Sequence, residues 1–144
     1  MSPWLFGPPL LFTIVIATLV LSGGPGRADN RAFFTSAILA VLHNIASSYT
    51  YSGTPVHPKV AQAITSTMAL LWLTAIVHFA YAFPDARRPS PPFSWGLTLS
   101  ALALGGAKLY TPEALYPFIY IPFALGEILL TLYLLAAANR RLRG

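Results

Sequence analysis

The chain has no cysteine, few acidic residues and little charge of either sign: Asp, Glu, Lys and Arg together make 9% of its 144 residues. Without cysteine there is no disulfide framework, thiolate nucleophile, Cys-ligated zinc or iron–sulfur cluster. The scarcity of charge excludes an ordinary water-soluble surface, because soluble domains carry about 25% charged residues. What takes their place is apolar: 56% of the residues are hydrophobic and the mean hydropathy is +0.63. This is the composition of a membrane protein. The net charge of +5 must therefore be read by position along a membrane, and no nucleic-acid partner is expected from it.

A hydrocarbon core of about 30 Å needs about 20 apolar residues per helix. Five stretches meet or approach that length, and they predict an all-α transmembrane bundle forming a single domain. The predicted spans cover residues 4–22, 32–51, 60–83, 93–109 and 114–138. Breakers separate them: Ser22-Gly23-Gly24-Pro25-Gly26, Gly53-Thr54-Pro55, Pro84-Asp85, and Gly105-Gly106 near the end of the fourth. Pro117 and Pro122 are expected to kink the outer part of the fifth span. No basic residue precedes the first span and no A-x-A site follows it, so it is expected to stay as a helix rather than be cleaved.

Charge sets the expected orientation. With five spans and the N-terminus outside, Arg27, Arg31, Arg87, Arg88, Arg140, Arg141 and Arg143 all fall inside, and only Lys59 and Lys108 outside. That is the positive-inside pattern, giving an N-out, C-in topology. Trp4, Tyr49, Tyr51, Tyr110, Tyr116 and Tyr120 would gather at the outer interface, with Phe83 and Trp95 at the inner one.

Polar groups inside spans are costly in lipid and face protein, water or a ligand. Glu127 lies about eleven residues, roughly 16 Å, from the inner end of the fifth span, and His43 about 18 Å from the same face on the second. The matching depth predicts that His43, adjacent Asn44 and Glu127 meet near the midplane. Such a cluster is either a proton relay or ligand pocket, or hydrogen-bonded glue between helices. His78 lies only about 8 Å from the inner boundary, so it cannot share a bis-histidine haem with His43. Single-histidine ligation of a haem or chlorophyll stays open for each, although no cofactor is predicted. Thr67, Thr74 and His78 recur along one stripe of the third span, the pattern of a packing seam. His57 reads as a solvated loop residue. On the fourth span Gly96, Ser100, Ala103 and Ala107 put small side chains on one face, which predicts close helix contact, with another helix of this chain ahead of one from a partner.

His78-Phe79-Ala80-Tyr81-Ala82-Phe83-Pro84, followed by Asp85-Ala86-Arg87-Arg88, resembles the H-F-x-x-x-F-P-x-x-R motif ending a helix in the multi-span membrane regions of bacterial sensor proteins, among them histidine kinases and diguanylate cyclases. The basic close of the fifth span, Leu134 to Arg143, is similar to theirs, and the resemblance covers the second to fifth spans. It implies a bacterial cytoplasmic-membrane protein of sensor-like type, with His78, Phe79, Phe83, Pro84, Arg87 and Arg88 as the motif residues. Such sensors continue into an output domain that this sequence, ending at Gly144, does not include. The expected function is non-catalytic binding, as a sensor-like module or by docking within the bilayer on a larger assembly. Its partners would be membrane lipid and other membrane proteins. The alternative is an accessory subunit of a respiratory or photosynthetic complex, packing lipid, quinone or pigment. An intramembrane enzyme using His43 and Glu127 is the weakest case, because no nucleophile or metal-ligand spacing accompanies the pair.

Overall fold

The computed structural model describes residues 7–144 and is entirely helical there, with α1 Gly7–Ser22, α2 Ala28–Ser52, α3 Pro58–Ala82, α4 Pro91–Ala107 and α5 Tyr116–Arg143. The expected start of the first span and the anchor Trp4 lie outside the described residues. Three helices, α2, α3 and α5, are long and apolar enough to cross a membrane. As described, α1 and α4 are 16 and 17 residues long, about 24–26 Å at the helical rise and short of a full hydrocarbon core.

Prolines set most of the boundaries. Pro58 and Pro91 open α3 and α4, at the first helical position where a missing N–H costs nothing. Pro84 ends α3 by holding Phe83 extended, at φ −74° and ψ 139°. Pro117 also belongs to a helix start, as the second residue of α5, so only Pro122 interrupts that helix from within. This corrects the expectation that both would kink it. The fifth helix also runs five residues past its expected end, since Arg140, Arg141 and Arg143 continue its last turn, where cations suit the helix dipole. The second starts four residues early because the bidentate Arg27–Asp29 pair, at 2.8 and 3.1 Å, lets buried Asp29 sit in its first turn.

α3 is the axis of the molecule. It packs against α2, α4 and α5, while α1 rests on α2, and α4 touches α5 only slightly. Leu70 and Val77 of α3 are the largest fully buried side chains. Thr50 meets Thr65 near one end of α2 and α3, and Phe33 meets Phe79 near the other, so these helices are antiparallel. α5 runs parallel to α3, from Tyr116 beside Leu104 to Arg141 beside Asp85. Two gaps follow around α3, because α2 packs against neither α4 nor α5.

The basic residues sort by end. The Arg27 guanidinium donates to the Pro84 carbonyl at 3.0 Å, and Asp85 pairs with Arg141 at 3.4 Å and Arg87 at 3.5 Å. The α1–α2 loop, the α3–α4 loop and the end of α5 thus share one end of the bundle, with the seven arginines. Lys59 and Lys108 belong to the opposite end.

Candidate functional site

Polar side chains run along the whole of α3, and its neighbours treat the two halves differently. In the arginine-end half they are bonded to neighbouring helices, although Glu127 Oε2 beside them is buried without a partner among the described residues. The Thr74 hydroxyl donates to Glu127 Oε1 at 2.5 Å. The Thr74 carbonyl accepts from His78 Nδ1 at 2.7 Å, and that donation leaves Nε2 of a neutral ring to accept from Ser94 Oγ, also at 2.7 Å. One stripe of α3 therefore ties α5 and α4 to it, which makes the Thr74–His78 stripe the packing seam that its spacing suggests. Thr67, further along, backs onto Gly105: a Cβ placed there would lie 2.6 Å from Thr67 Cα.

The seam corrects two expectations. Glu127 is 3% exposed, yet its partner is Thr74 rather than His43, and α2 and α5 do not pack together. Matching depth fixes height and says nothing of direction around the bundle, and the two residues pack on α3 from helices that do not meet. Asn44 is exposed and donates to its own helix, to Ala40 O at 2.8 Å, so it joins neither. On α4, Gly96, Ser100 and Ala103 are exposed and Ala107 is half-buried, while the packed face is Ser94, Thr98, Ala101 and Gly105. The same four-three-four spacing occurs twice on this helix, two residues apart. The stripe that carries Ser94 is the one that packs, because it can satisfy His78.

At the lysine end Thr65 is buried and bonded to Thr50 of α2, but other polar residues stay open. Between α2, α3 and α5 lies a cavity of about 600 Å³, lined by His43, Ser47, Tyr51, Gln62, Thr65, Ser66, Ala69, Lys108, Glu113, Tyr116 and Tyr120. Among the described residues lining it, only Ala69 lacks a polar side-chain atom. Gln62 Oε1 is buried and makes no hydrogen bond to the described residues. His43 stacks on Trp72 with ring centroids 6.0 Å apart, and its Nδ1 approaches the Thr65 carbonyl at a weak 3.4 Å. The Tyr116 hydroxyl donates to Leu104 O at 3.1 Å and its ring carries Lys108 Nζ 4.8 Å from the centroid. Of the aromatics expected to gather at this end, Tyr116 is buried, while Tyr49, Tyr51 and Tyr110 are exposed.

Of the candidate site residues only His43 lines this cavity, and it was expected to meet Asn44 and Glu127 instead; Gln62, Ser66, Lys108 and Glu113 were not anticipated. The available signal was the run Gln62 to Thr67, which puts four polar residues into six positions of the third span. The sensor-like motif lies at the other end: Phe79 packs edge-on against Phe33 at 5.8 Å and tilts against Phe83 at 5.6 Å, Pro84 receives Arg27, Asp85 holds Arg87, and Arg88 is exposed. His57 is exposed before α3. Both ring nitrogens of His78 are engaged, so a haem or pigment iron or magnesium at that residue would have to displace Ser94 or Thr74. Among the described residues no three His, Asp or Glu side chains are grouped to hold a metal. The chain matches no family model, no curated protein and no solved structure.

Proposed function

We propose that this protein is a five-span membrane protein, N-out and C-in, that works by binding a small polar ligand in the cavity at its lysine end, as a sensor-like module. The observation that carries the reading is the cavity itself, about 600 Å³ in volume and lined by hydroxyls, an imidazole, a lysine and a glutamate, with the Gln62 amide oxygen buried on its wall and without a partner among the described residues. That volume lies within the usual range for small-molecule sites. A buried acceptor left unmatched costs about 1–3 kcal/mol, which a ligand donor would recover. The segregation of arginines to one end supports the orientation by the positive-inside rule. In that proposed orientation the cavity mouth faces outside and the sensor-like motif inside. The resemblance of that motif to bacterial sensor regions supports a bacterial cytoplasmic membrane as the setting.

A thermal-unfolding screen of small water-soluble metabolites on the detergent-purified chain tests the reading. A true ligand at a hundred times its Kd adds about 2.7 kcal/mol of stability. That gain should vanish in Ser66→Trp, which fills the cavity. If no compound stabilises the wild type, or if the blocked variant responds equally, the cavity is not a ligand site. The second reading, an accessory subunit docked within the bilayer, is favoured by the exposed small-residue face Gly96, Ser100 and Ala103. Co-purification of a larger assembly from native membranes, lost in Ser100→Trp, would put it first.

A further inference from the structure

The second gap around α3 lies between α2 and α4, in the arginine-end half, and its chemistry is unlike that of the lysine-end cavity. It holds about 310 Å³, and most of the surface it exposes is apolar, with Leu39 from α2 and Leu71 and Ala75 from α3. Its polar walls are already committed. Thr74 and His78 line it, but their polar atoms are engaged with Glu127, Ser94 and the helix backbone, and the Thr35 and Thr98 hydroxyls are bonded back to Arg31 O and Ser94 O. The exception is Arg31. It lines the cleft, is exposed and makes no ion pair among the described residues. The carboxylate nearest to it in sequence, Asp29, is held on both oxygens by Arg27.

An uncompensated guanidinium at the entrance of an apolar cleft between helices is complementary to a molecule with an anionic head and a hydrocarbon tail. Basic pockets between spans at the cytoplasmic side select anionic lipid headgroups in this way, and a guanidinium matches a phosphate in bidentate fashion. We propose that the α2–α4 cleft binds one anionic phospholipid, its phosphate on Arg31 and one acyl chain lying along Leu39, Leu71 and Ala75. The lipid then replaces the contact that α2 and α4 do not make with each other. This site is independent of the lysine-end cavity, since the two share no lining residue.

The test uses the full chain reconstituted in vesicles of equal parts phosphatidylglycerol and phosphatidylcholine, extracted gently and weighed by native mass spectrometry with its retained lipid. The wild type should keep phosphatidylglycerol over phosphatidylcholine. Arg31→Gln should reduce that preference about five-fold, the factor equivalent to about 1 kcal/mol for one basic residue near anionic headgroups. Arg31→Lys should keep most of it, and Arg88→Gln, which changes an exposed arginine outside the cleft, should keep all of it. Leu39→Trp, which fills the cleft while sparing the charge, should lose the retained lipid. Equal retention of both lipids by the wild type overturns the proposal, and that comparison needs no variant to fold. So does a preference unchanged in Arg31→Gln, or lipid retained in Leu39→Trp. Inorganic phosphate added to the wild-type vesicles should not displace the lipid; if it does, the site recognises the free anion and the acyl chain has no part in it.

Discussion

The two halves of α3 carry the same kinds of residue and put them to opposite ends. Towards the arginines, Thr74 and His78 find hydroxyl and carboxyl partners on α4 and α5 at 2.5–2.7 Å, and the polar atoms become a seam. Towards the lysines, Thr65 is bonded to Thr50 of α2, but Gln62 and Ser66 face a cavity; each half keeps one buried acceptor without a partner among the described residues, Gln62 Oε1 here and Glu127 Oε2 in the seam. The difference lies in the neighbours. α2 and α5 do not close on each other, and the turn from Lys108 to Leu115 separates the end of α4 from the start of α5. A polar residue in a span is glue or site according to whether a second helix reaches it.

The sharpest way to break the comparison is steric. Gly105→Val should cost about 3 kcal/mol in detergent-titrated unfolding, the top of the usual range of about 1–3 kcal/mol for overpacking, because its Cβ would meet the Thr67 backbone. Gly106→Val, with open space around its Cβ position, should cost much less. If the two are equal, the α3–α4 contact is not close. Next in size, Thr74→Val should cost about 1 kcal/mol, the usual worth of an interhelical hydrogen bond in a membrane. Glu127→Ala should cost a similar amount, and the double variant less than the sum, because the pair shares one bond. Strict additivity would contradict that pairing. Gln62→Leu sharpens the contrast from the other side. Removing an unmatched buried acceptor should leave stability unchanged or raise it by up to about 1 kcal/mol, while abolishing stabilisation by any cavity ligand. A loss comparable to that of Thr74→Val would mean that Gln62 is packed into a seam too. Smallest is Asp85→Asn, whose half-exposed pairs with Arg87 and Arg141 should be worth under about 1 kcal/mol and fade with salt.

The helices and the sorting of basic residues were legible in the sequence because both depend on one-dimensional features: run length, proline position and the order of charges. The stripe of Thr74 and His78 was legible too, since it follows from helical period along a single element. What failed needed direction between elements. His43 and Glu127 were expected at one depth, but they pack on α3 from helices that do not meet, one near Thr65 and the other on Thr74. On α4, two small-residue stripes satisfy the same spacing, and only the position of His78 on α3 decides which one packs. The lysine-end cavity was hidden for a related reason. Tyr51, Tyr116 and Tyr120 read as interfacial aromatics, and their convergence on Gln62 and Lys108 requires knowing that α5 runs beside α3 and away from α2.

The absence of cysteine makes the comparison of the two halves directly measurable, because each introduced thiol is the chain's only one. Ser66→Cys lies on the cavity and Thr74→Cys in the seam, about twelve Å further along the same helix. A charged, membrane-impermeant maleimide added to intact cells should label Ser66→Cys readily and leave Thr74→Cys unlabelled. Labelling of Thr74→Cys as fast as Ser66→Cys, or of neither, would contradict a molecule sealed at its arginine end and open to polar ligands at its lysine end.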